Sequence, residues 1–177
     1  MIVESLEFIA SELNTFFKSK LAIAEDKVIV SNIINHDGSF PDFKNKLAVC
    51  LINLEKETGL ALPGFRTNAG QAIHNQPLAI NLQVLLAACF EDYTESLSFI
   101  SDAFVYFYTN PIFLQNSHPN IGERIGQLSI VLQPANYEIT NQLWSLLGAK
   151  HVPYLLYKVS TEICQVLLCL NEFVYID

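Results

Sequence analysis

The sequence predicts an α/β (α+β) fold, a mixed β-sheet flanked by helices, in a single domain spanning residues 1–177. Three observations predict it. The first eighteen residues carry apolar side chains at helical spacing. Later apolar runs are β-branched or alternate with period two. Two further helical segments open on capping residues and stop at Asn-Pro or Gly.

The first helix, expected over 1–18, rests on Ile2, Leu6, Ile9, Leu13, Phe16 and Phe17, with Glu4, Glu7 and Glu12 between them. A strand follows over 28–34 and ends at the turn signal His36-Asp37-Gly38. Residues 47–54 are apolar on both alternations, so this strand is expected to be covered on both faces. Periodicity is then lost over 55–76, a loop rich in Gly, Pro and Asn that still carries Leu60, Leu62, Phe65 and Ile73. A loop of that length in a compact domain is either functional or disordered, and the apolar residues mark it as a segment that docks on a partner.

Leu78, Ile80, Leu82, Val84 and Leu86 give the next strand one strongly apolar face. Asp92 with Glu95 forms a capping-box pattern for a helix that runs to about Thr109 and stops before Asn110-Pro111. Leu97, Phe99, Ile100, Phe104, Val105, Tyr106 and Phe107 surround this helix, so it is expected to be covered on more than one side. Residues 110–126 read as a second polar loop and 128–132 as a short strand. Asn136 caps a short helix marked by Ile139, Leu143, Leu146 and Leu147, with Gly148 at its C′ position. Its Trp144, the only tryptophan, is expected to clamp the helix onto the sheet, burying roughly 150–250 Å². Residues 152–176 fit a long strand or a hairpin, although Val159, Ile163, Val166, Leu167, Leu170 and Phe173 also fit helical spacing. Tyr157 in this segment is expected to be a second structural anchor.

The chain is 51% hydrophobic and 16% charged, where average domains are about a quarter charged. That apolar excess needs a membrane or other subunits to cover it. A spanning helix takes about 20 consecutive apolar residues, and 77–90, interrupted by Asn81 and Gln83, falls short. No signal peptide or anchor is read at the start, which carries Glu4, Glu7 and Glu12. Burial against partners is the expectation, with homo-oligomerisation through residues 104–108 and 60–73. Candidate interface residues are Leu60, Leu62, Phe65, Arg66, Phe113 and Arg124. The net charge of −8, with Arg66 and Arg124 the only arginines, leaves no phosphate-neutralising surface for nucleic acid. Glu91, Asp92, Glu95 and Asp102 read as a solvated face that complements a helix dipole.

No catalytic constellation emerges. His36-Asp37 sits in a turn with Gly38-Ser39, where Asp and Gly serve the backbone, and no GxSxG elbow exists. His74, His118 and His151 are scattered and have no partner at metal-ligand spacing. Cys50, Cys89, Cys164 and Cys169 form no CxxC pair and read as buried hydrophobes in a reducing cytoplasm. No glycine-rich loop cradles phosphate. Catalytic, cofactor and metal sites are therefore expected to be absent.

Three motifs carry a family resemblance. Pro77-Leu78-Ala79-Ile80-Asn81-Leu82-Gln83-Val84-Leu85-Leu86 resembles a proline-led "plal-l-yll" strand. Asn110-Pro111-Ile112-Phe113 is similar to an "Asn/Asp-Pro-Ile/Val" stop. Leu143-Trp144-Ser145-Leu146-Leu147-Gly148 with Pro153-Tyr154-Leu155-Leu156-Tyr157-Lys158-Val159 is similar to an "LWsalg…psl-Y-V" ending. The family is that of tail-terminator or cap proteins of contractile injection systems, including the antifeeding prophage and virulence-cassette particles. The resemblance spans essentially the whole chain. One departure is Asn53-Leu54-Glu55-Lys56-Glu57-Thr58-Gly59-Leu60, which stands where members often have "EN-lrN".

The resemblance implies a phage tail-terminator-like fold and a homo-hexameric ring. It implies a structural cap that binds the inner tube protein and the sheath protein at the distal end of the particle and stops their polymerisation. Assembly is expected in the cytoplasm, without direct membrane insertion. The alternatives are another ring-forming adaptor of such a particle or a small-molecule-binding α/β domain.

Overall fold

The computed structural model describes residues 1–39, 41–57 and 79–163. Its elements are α1 (Ile2–Leu21), β1 (Val28–Val30), β2 (Lys46–Lys56), β3 (Ala79–Cys89), α2 (Tyr93–Thr109), β4 (Ile112–Leu114), a 3₁₀ turn (Pro119–Ile121), β5 (Ile125–Leu132), α3 (Tyr137–Leu147) and β6 (Tyr154–Ile163). The six strands form one sheet in the order β1-β2-β3-β6-β5-β4. Among the described strands only the β1–β2 pair is parallel. The sheet is therefore mixed and flanked by helices, as expected. β6, late in the sequence, is inserted between β3 and β5.

Side-chain alternation along β3 divides the core. Ile80, Leu82, Val84, Leu86 and Ala88 face α1 and α2, where they join Leu13, Phe17, Phe99 and Phe107 in the main cluster. Leu85 and Ala87 face the other way and meet Leu143 and Trp144 of α3. On that second face, beyond the reach of α3, the sheet turns polar. Asn81 donates to Glu57 (2.7 Å), Ser160 donates to Asn81 (2.6 Å), and Lys158 lies 3.2 Å from Glu57.

Both predicted caps form. The Asp92 and Asn136 side chains accept from the N–H groups of Glu95 (2.8 Å) and Ile139 (2.8 Å), satisfying donors left open in each first turn. Gly148 ends α3 at φ +65°, a conformation glycine adopts without a Cβ penalty. The two large helices are tied by Tyr106, whose hydroxyl donates to Glu12 (2.9 Å).

Four expectations are corrected. β1 stops at Val30: Ser31 makes a last bond to Val49, and the chain then leaves for the turn closed between Asn35 and Ser39. β2 is covered on both faces only through Cys50, since its far end turns outward after the bulge near Leu51 and Asn53. The polar loop expected over 110–126 contains β4, the 3₁₀ turn and the start of β5. Phe113, Ile121 and Ile125, buried among polar neighbours, hold it down. Among the described residues α2 is covered on one side only, with Leu97, Phe104, Val105 and Tyr108 exposed. The final segment is strand through Ile163; the rest of that expectation, with Cys164 and Cys169, lies outside the described residues.

One edge of the sheet is closed by a side chain. Asn14 of α1 donates to the carbonyl of Val28 (2.8 Å) and accepts from the N–H groups of Lys27 (2.9 Å) and Val28 (2.9 Å). These backbone groups would otherwise template another strand. Asn14→Ala is expected to cost about 1–3 kcal/mol, the usual consequence of leaving partly buried polar groups unpaired. Urea unfolding checks this, and an unchanged midpoint would remove Asn14 as an edge lock.

Candidate assembly interface

The exposed side of α2 is a product of its own spacing. Ser96, Phe99, Ala103 and Phe107 recur at three- and four-residue steps and face the sheet. Phe104 and Tyr108 recur on the neighbouring stripe, lie 5.9 Å apart ring to ring, and point away from it. Tyr108 is 77% exposed. The helix ends where Asn110 closes back on Tyr106, its backbone and side-chain N–H groups both donating to that carbonyl (2.9 and 3.0 Å). Pro111 then passes its carbonyl to Ile130 N–H (2.8 Å), which draws the helix end onto β5.

β4 is only three residues long and pairs with Gln127, Leu128 and Ser129. β5 outruns it: past the Pro111–Ile130 bond, Val131 and Leu132 have no outer strand among the described residues. An apolar groove of about 430 Å³ opens there. Phe104, Phe107, Tyr108 and Pro111 form one wall; Ile130, Leu132 and Tyr157 form the other, and Val131 edges it with its side chain paired to Lys158 on the opposite sheet face. None of the lining residues is charged. Tyr157 is 3% exposed and its ring meets Phe107 edge-on at 5.4 Å. Among the described residues its hydroxyl has no hydrogen-bond partner. Burial among apolar groups disfavours the phenolate and pushes the phenol well above its ordinary range.

A second apolar feature lies on the opposite face of the sheet. α3 is held by Leu143 and Trp144, its two buried residues. Leu146 projects from its last turn and is 81% exposed. Ile139, two turns earlier on the same stripe, is also exposed.

The other expected site residues are dispersed. Phe113 is a correction: it is 2% exposed and packs edge-on against Phe8 at 5.2 Å, inside the main core rather than on an interface. Its alternation in β4 turns Ile112 and Leu114 outward instead. Arg124 is exposed at the start of β5, roughly 23 Å along the strand from Val131 at 3.3 Å per residue. Leu60, Leu62, Phe65 and Arg66 lie outside the described residues. Trp144 is 6% exposed, with Tyr154 and His151 against its ring at 5.6 and 5.3 Å. Sequence reasoning missed Pro111, Val131 and Leu132. The usable signal was Leu132, which continues the apolar series Leu128, Ile130 past the reach of its neighbour.

His36 and Asp37 lie in an exposed turn. Asp37 accepts from the hydroxyl (2.6 Å) and N–H (2.9 Å) of Ser39, and these bonds hold its carboxyl below the usual range. The pair thus serves the turn. Among the described residues no group of three potential ligands is placed to hold a metal ion, and no helix is long and apolar enough to cross a membrane.

The fold is similar to that in the cryo-EM structure of the anti-feeding prophage cap, described as a tube terminating cap. The TM-score is 0.52 at 16% sequence identity, covering 85% of this chain and 52% of that one. The chain thus spans about half the length of the cap chain it matches. No curated protein matches it in sequence. The family described as the Pvc16 N-terminal domain matches over residues 6–165. With nearly the whole chain so matched, the protein belongs to the Pvc16 N-terminal domain family.

Proposed function

We propose that this chain is a structural cap, a tail terminator of a phage-tail-like contractile injection particle. The observation that carries this reading is the family match over residues 6–165, and the likeness of fold to a tube terminating cap agrees with it. In this reading six copies form a ring on the distal end of the inner tube and the last layer of sheath. The ring stops polymerisation and holds the sheath extended, and it is built in the cytoplasm.

The physics of such a part favours what is seen. Tube and sheath are open heterologous polymers, and a terminator must match their last layer without offering another. A subunit of that kind needs apolar surface that is uncovered in the single copy, as on α2 and α3, and no catalytic apparatus. Arg124 and the segment with Leu60, Leu62, Phe65 and Arg66 are the proposed contacts with tube or sheath.

The test is electron microscopy of particles from producing cells with and without this chain. Loss of the chain is expected to give tubes and sheaths of uncontrolled length. Restoring a labelled chain is expected to restore length and place the label at one end, opposite the baseplate. Normal length without the chain, or label at the baseplate end, would overturn the reading.

A further inference from the structure

We draw no further inference here: the strongest candidate, the apolar groove between α2 and β5 with the buried Tyr157 hydroxyl unpartnered among the described residues, carries nothing because nothing in the structure shows what covers it.

Discussion

Trp144→Ala is expected to lower the unfolding free energy by about 3–5 kcal/mol, the range for deleting a large buried aromatic. That is a large part of the roughly 5–15 kcal/mol available to a typical domain. The reason is local. α3 has two buried residues, and Trp144 is the larger. Its ring fills the space over Ala48, Cys50, Leu85 and Ala87, four small or medium side chains that cannot expand into a void. Thr140 shares a 2.7 Å hydrogen bond with Tyr154 beside it, so loosening the helix also strains that bond. The expected result is a large drop in thermal midpoint or insoluble protein. In a particle-producing cell the same variant is expected to yield tails of uncontrolled length. A variant that keeps parental stability but fails to join particles would make Trp144 an interface residue, against this packing argument.

Phe113→Ala is expected to cost a similar amount, about 3–5 kcal/mol. β4 has three residues and buries only this one. The ring meets Phe8 and His118, each 5.2 Å away, and Phe107 at 6.4 Å, all near perpendicular. Removing it opens a cavity where α1, α2 and the edge of the sheet converge. Tyr108→Ala is the control, because its exposed ring predicts a change within about 0.5 kcal/mol. Urea unfolding of the two variants side by side decides the matter. Equal stability for both would return Phe113 to the surface where its sequence context placed it.

That contrast shows what was legible in the chain. The caps at Asp92 and Asn136, the stripe of α1, and strands β2, β3 and β5 are local patterns, and the fold class follows from their order. Burial of individual residues is not local. Phe99 and Phe104 are equivalent on paper, and only the position of the sheet decides that one is core and the other is exposed. Phe113 was misplaced because its neighbours Asn110, Gln115 and Asn116 read as loop. Leu132 lines the groove only because β4 begins at Ile112, beyond the pairing of Ser129, and strand pairing sets that start. The pairing of β6 with both β3 and β5 joins residues far apart in sequence, which periodicity cannot reveal. The family motifs, by contrast, were legible because they mark the strand, the stop and the Trp helix in order.

The place of β6 bears on how the protein is made. Synthesis runs from the N-terminus, so β3 and β5 emerge with open flanks before the strand that joins them exists. Pairings of such long sequence separation form slowly, and unpaired flanks in a nascent chain invite association with others. Tyr157 lies on β6 and also forms a wall of the groove. The groove is therefore completed by the last described strand to leave the ribosome, and a half-made chain lacks its Tyr157 wall.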